Sequence, residues 1–288
     1  MRNLMYSQFV SPLLRRGWGR FLVCFLVPLY ALPSLGGDGG GVPHNIHELK
    51  SLGCELTDSL LMAKVAQKCC YSMNRGKSVA VFGGSLSVNK ESQAAKLMWS
   101  EYLDMHVTDY GHGGYGFSSL QGSVLDQVKR ARKHDIYILW ASTNDYTNNR
   151  LPGTPQDYTE ADGFDATKLE TQCGGLNFCI RHLRQLNPRA TIYVFGSLPF
   201  WWNSGGYDPA STETNKTGHN FAYYVELQRQ VAELQGVKFF DQFALPVLTP
   251  ETKDCFYLKD NLHMNYNGYV NVGLYQLYFL ATEKALKP

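Results

Sequence analysis

Asp260 and His263, three apart in "LKDNLHMNYNGY", have the types and spacing of an oriented base. In a turn or a first helical loop, that spacing lets the carboxylate accept from one imidazole nitrogen while the other faces outward. The remaining histidines, His44, His47, His106, His112, His134, His182 and His219, read as packed or surface residues. A candidate for deprotonation stands in "AVFGGSLSVN", residues 80 to 89, where an apolar run meets Gly83, Gly84 and Ser85. A glycine pair permits backbone angles that residues with a Cβ resist, so Ser85 is expected to stand free at the end of a strand. A serine hydroxyl becomes a useful nucleophile only when an imidazole takes its proton, and that imidazole needs a partner to fix its tautomer.

Two further loops offer hydrogen-bond donors. "WASTNDYTNN" ends an apolar run with Asn144 and Asp145; the Asn144 amide can donate into a cleft, although both residue types are also common in turns. "GHGGYG", residues 111 to 116, fits G-x-G-x-x-G. A dinucleotide site would also need an acidic residue at the end of the next strand, whereas Asp135 precedes that strand, so a nucleotide cofactor is not expected.

The elements that must position these residues alternate along the chain. Apolar, β-rich runs occupy 78 to 83, 105 to 110, 136 to 142, 191 to 197 and 237 to 243. Helix-like segments lie at 47 to 73, 91 to 104, 121 to 133, 168 to 185, 220 to 235 and 267 to 285. Strands without polar alternation, separated by amphipathic helices, predict an α/β domain whose parallel sheet is covered on both faces. Ligands in such domains sit at the carboxyl ends of the strands, where all four loops fall.

The first 38 residues differ from the rest. Four arginines precede the apolar run "FLVCFLVPLYALPSL", broken by Pro28 and Pro33 and too short for a span of about 20 residues. We read residues 1 to 38 as a secretory signal peptide with a short linker, residues 39 to 288 as one domain, and residues 39 to 76 as its N-terminal helical extension. Contact with a membrane is expected only through an uncleaved leader. Without the leader the chain carries 23 Lys and Arg against 24 Asp and Glu, a near-neutral balance that argues against nucleic acid as a partner. Six cysteines remain, Cys54, Cys69, Cys70, Cys173, Cys179 and Cys255; an even number in an exported protein allows one or two structural disulfides, and the spacings do not suggest zinc.

Block by block, the four loops resemble the SGNH hydrolase, or GDSL esterase, family. "FGGSLS" is similar to F-G-D-S-L-S, "GHGGYG" to N-x-G-x-x-G, "STND" to G-x-N-D and "DNLH" to D-x-x-H, in the family's order between residues 78 and 285. The resemblance implies a flavodoxin-like three-layer sandwich with a five-stranded parallel sheet, and a serine esterase needing neither metal nor cofactor. It implies Ser85 as nucleophile, His263 as base and Asp260 as its orienter, with the Ser85 and Gly116 N–H groups and the Asn144 amide as the oxyanion hole. Gly84, Gly111 and Ser142 depart from the family's Asp, Asn and Gly.

Two segments are expected to select the substrate. The insertion at 148 to 168 is long for a crossover and polar, and such loops often form lids or binding surfaces. "PFWWNSGGY" places Phe200, Trp201, Trp202 and Tyr207 after the fourth strand; Trp201, Trp202 and Tyr146 are the candidate substrate-contacting aromatics. The expectation is an exported esterase acting on short, acetyl-type esters of carbohydrate. Acyl transfer through the same residues, or a catalytically silent carbohydrate-binding protein, are the alternatives.

Overall fold

Three strands with every residue buried or nearly so form the centre of the sheet: β1 (Ser78–Gly83), β3 (Ile136–Trp140) and β4 (Thr191–Phe195). Their alternate side chains enter two different cores, as the period of two in a strand requires. The computed structural model describes residues 59–120, 122–201 and 213–283, all within one compact unit. The leader, Trp202, Tyr207 and Cys54 lie outside the described residues.

The edges are β2 (His106–Asp109) and β5 (Lys238–Phe240), both shorter and more exposed than the runs that predict them. Strand order is β2-β1-β3-β4-β5, and every pairing is parallel. One face buries Val79, Val81, Ile138, Trp140 and Phe195 under the described part of α1 (Ser59–Cys70), α3 (Gln93–Leu103) and α9 (Tyr266–Thr282). The other buries Ala80, Phe82, Leu139 and Val194 under α4 (Val124–Val128), α6 (Gln172–Leu186) and α7 (Phe221–Leu234). Two one-turn helices, α2 (Ser85–Val88) and α5 (Asn144–Thr147), follow β1 and β3 directly, and α8 (Lys253–Phe256) precedes the "DNLH" loop.

Capping side chains fix where the longer helices begin. Thr171, Asn220 and Asn265 each accept from a backbone N–H of the first turn of α6, α7 and α9. Helix α4 stops at Val128, five residues short of its predicted end. Lys129, Arg130, Arg132 and Lys133 follow, and so dense a cationic run has no apolar face to bury. The insertion at 148 to 168 folds onto α6: the Asn177 amide donates to the carbonyls of Pro155 and Asp157, and Tyr158 packs against Phe178. Cys255 is disulfide-bonded, while Cys173 and Cys179 are buried thiols whose pKa burial pushes up.

Register brings the site together. Gly83 pairs with Trp140, and Trp140 with Phe195, so β1, β3 and β4 end side by side and their following loops share one rim.

Candidate active site

Ser85 opens α2, half-buried at the rim, and its Oγ lies 2.9 Å from His263 Nε2. On the other side of the ring, His263 Nδ1 is 2.7 Å from Asp260 Oδ2. A carboxylate only accepts, so Nδ1 carries the ring proton and Nε2 is left to accept from Ser85. Asp260 is itself held: its Oδ1 accepts from the backbone N–H groups of Leu262 at 3.0 Å and His263 at 2.9 Å. Burial pushes the Asp260 carboxyl up, but hydrogen bonds from the His263 ring and these two N–H groups outweigh it and keep the pKa below its usual value.

The glycines before Ser85 serve a purpose different from the expected one. Gly84 has φ −89°, an angle open to any residue, and neither Gly83 nor Gly84 has a positive φ. Space is the constraint. A Cβ on Gly83 would lie 2.5 Å from the Trp140 carbonyl; one on Gly84 would lie 2.7 Å from both Asn144 Nδ2 and the Tyr115 carbonyl and 2.8 Å from Ser142 Cβ. The chain gives up side chains here so that the loops after β2 and β3 can close on the turn that carries Ser85.

That turn is clamped from beneath. The fully buried Gln127 side chain accepts from the Gly83 N–H and donates to the Gly83 carbonyl, both at 2.9 Å. An apolar residue at 127 would leave the buried Gly83 N–H unpaired, at about 1–3 kcal/mol, while the Gly83 carbonyl would keep the His112 N–H at 3.0 Å. From the side, the buried Lys96 ammonium donates to the Ser87 carbonyl and to Asp109, tying α2 to the edge strand. Burial pulls the Lys96 pKa down, against the opposing pull of Asp109. Neither Gln127 nor Lys96 stands out in the sequence, because each acts across more than eight positions through a geometry that no local motif encodes.

The donor loops lie beside the serine. Gly113 is exposed, and a Cβ placed on it would be 4.0 Å from Ser85 Cβ. Gly116 is buried against Asp145, whose carboxylate would be 2.4 Å from an added Cβ. This carboxylate accepts from the N–H groups of Phe117 at 2.7 Å and Ser118 at 3.0 Å, fixing the loop. Burial raises the Asp145 pKa, opposed by the same N–H groups and by Arg150. Asn144 Nδ2 reaches the Tyr115 carbonyl at 3.0 Å and Ser142 Oγ at 3.1 Å.

The aromatic candidates are placed otherwise. Tyr146, 1% exposed, is packed among Phe200, Phe221 and Tyr224, with Leu262 of the "DNLH" loop against this cluster. It packs beneath that loop. Trp201 is 8% exposed, its ring meets Tyr257 edge-on, and its backbone N–H donates to the Asn261 carbonyl at 2.7 Å. Tyr146 and Trp201, expected as substrate-contacting aromatics, are instead buried under that loop. Among the described residues no cluster of three or more His, Cys, Asp or Glu is placed to hold a metal ion.

An activated hydroxyl, a base with a fixed tautomer and nearby donors make a site able to transfer an acyl group through a serine. Residues 81–270 match the model of the GDSL-like lipase/acylhydrolase family. Among solved structures the chain is similar to a protein from Lactobacillus plantarum at 18% identity, covering 71% of this chain and 96% of that one with a TM-score of 0.59. It is also similar to a possible lipase from Chitinophaga pinensis DSM 2588 at 16% identity, covering 70% of this chain and 96% of that one with a TM-score of 0.54. At such identities the likeness is one of fold. No curated protein matches.

Proposed function

The chain belongs to the GDSL-like lipase/acylhydrolase family and is an ester-hydrolysing enzyme, and we propose that Ser85, His263 and Asp260 carry its chemistry. Ser85 Oγ attacks the acyl carbonyl while His263 Nε2 takes its proton, and Asp260 stabilises the imidazolium that forms. The oxyanion is met by the N–H groups of Ser85 and Gly116 and by the Asn144 amide. Collapse breaks the ester bond, and His263 returns the proton to the departing alcohol. Water, deprotonated by the same imidazole, then releases the acid and restores Ser85. The observation that carries this reading is the unbroken relay from Asp260 Oδ2 through both ring nitrogens to Ser85 Oγ, at 2.7 and 2.9 Å.

For substrate we propose short acyl groups, acetyl-type, on carbohydrate. In the polar insertion, the large apolar residues exposed are Leu151 and Phe164, and Phe164 lies under the Arg181 guanidinium at 3.7 Å. That supports a small acyl group over a long chain, which needs a continuous apolar face. The bound state of Cys255 supports an oxidising, exported location reached through the N-terminal leader. Rates on p-nitrophenyl acetate, butyrate and palmitate, and on acetylated xylan and other acetylated glycans, test the substrate. Acetate should be the fastest of the simple esters; faster palmitate would overturn the short-acyl reading, and short esters without any glycan would remove its sugar part.

A further inference from the structure

Ser142 stands where β1 and β3 end together, and its hydroxyl touches both donor loops. Its Oγ lies 2.8 Å from the Tyr115 carbonyl, to which it donates, and it accepts from Asn144 Nδ2 at 3.1 Å and from the Asn144 backbone N–H at 3.3 Å. Below, the Ser142 carbonyl accepts from Ser197 Oγ at 2.9 Å, and Ser197 is bound in turn by the buried Gln228. The side chain is 5% exposed and thus has little freedom to take another rotamer.

The Tyr115 carbonyl shares one planar trans peptide with the Gly116 N–H, and the two point in opposite directions. Whatever fixes the carbonyl therefore aims the N–H. Asn144 Nδ2 and Ser142 Oγ both hold that carbonyl, so one hydroxyl is linked to two groups at once, the Gly116 N–H and the Asn144 amide. Room for the arrangement comes from Gly84: a Cβ there would lie 2.8 Å from Ser142 Cβ and 2.7 Å from Asn144 Nδ2 and the Tyr115 carbonyl. Glycine at 84 thus leaves open the space that Ser142, the Asn144 amide and the Tyr115 carbonyl fill.

We infer that Ser142 is a positioning residue that orients the Gly116 N–H and the Asn144 amide toward the developing oxyanion. This rests on the proposed roles of Ser85, Gly116 and Asn144. Its effect belongs to the transition state, because the oxyanion forms only there.

Ser142→Ala and Ser142→Gly, both smaller than the native side chain, remove the hydroxyl without crowding Gly84. Turnover of p-nitrophenyl acetate is measured per reactive serine, titrated with a fluorophosphonate, so that any misfolded fraction drops out. Both variants should lose about tenfold or more in kcat, the scale of one hydrogen bond, with KM within about twofold. In an Asn144→Ala background the Ser142→Ala loss should shrink, because the amide it orients is gone. A kcat per reactive serine within about twofold of wild type, a loss confined to KM, or a loss undiminished in the Asn144→Ala background would each overturn the inference. Full turnover by Ser85→Ala would instead sink the underlying reading of the site.

Discussion

Replacing Asp260 by asparagine changes one oxygen for one amide nitrogen and should reverse the site's proton order. The oxygen that accepts from the Leu262 and His263 backbone N–H groups, at 3.0 and 2.9 Å, can be kept by the new side chain. Its NH₂ then faces His263 Nδ1, which stands 2.7 Å from the present carboxylate oxygen and must become an acceptor. Nε2 thereby becomes the protonated nitrogen and cannot take the proton of Ser85. The lost charge adds to this: at about 4 Å and an effective dielectric near 20, a carboxylate stabilises an imidazolium by about 4 kcal/mol. The Asp260 side chain is 44% exposed, so water screens part of that, and roughly half should remain, about 30-fold in rate. Together with the inverted tautomer, which costs up to about 10⁴-fold in the best-known triads, kcat should fall between about 10² and 10⁴-fold, with KM little changed. Steady-state hydrolysis of p-nitrophenyl acetate measures it. A variant within about threefold of wild type would refute the argument that Asp260 sets the tautomer.

Gly116→Ala keeps the backbone N–H but places a Cβ 2.4 Å from the Asp145 carboxylate, so the loop must shift. We expect a stability loss of about 1–3 kcal/mol and a fall in kcat, read by thermal melting and hydrolysis; wild-type values in both would contradict the packing described here. Lys96→Met strips the Ser87 carbonyl and Asp109 of their shared cation and should destabilise the fold by about 2–4 kcal/mol by denaturant titration, whereas an unchanged midpoint would show the pair to be dispensable. Asp135, at the start of β3, is held below its usual pKa because the Ser78 N–H and hydroxyl donate to it. A carboxyl depressed in the fold stabilises above its unfolded value of 3.8, and that stabilisation is lost as pH falls through the folded value. Melting temperature should therefore drop less steeply from about pH 5 to 3 in Asp135→Asn than in wild type, and parallel curves would contradict the assignment.

The sheet was readable because β1, β3 and β4 are continuous apolar runs, and such runs leave a strand no exposed face. The edges were less readable: β2 and β5 carry His106, Thr108 and Lys238, and the apolar Met105 and Val237 just before them are buried without joining the strands. The contacts from Asp260 through His263 to Ser85 join residues that the sequence suggested by type and spacing and by the family resemblance. What spacing could not convey was volume. Gly84 suggested a backbone angle, and only the approach of Asn144, Tyr115 and Ser142 shows that it answers a demand for space. Tyr146 and Trp201 misled for a related reason, since an aromatic residue beside a polar loop reads the same whether it faces a ligand or supports the loop from below.

Stoichiometric labelling tests the central claim most directly. The protein is exposed to a fluorophosphonate, its intact mass is followed alongside hydrolysis of p-nitrophenyl acetate, and the modified peptide is mapped. The account predicts a single adduct per chain on Ser85, with activity lost in step, and neither adduct nor turnover in Ser85→Ala. An adduct on another residue that abolishes activity, or a Ser85→Ala protein that still turns over ester at the wild-type rate, would contradict it.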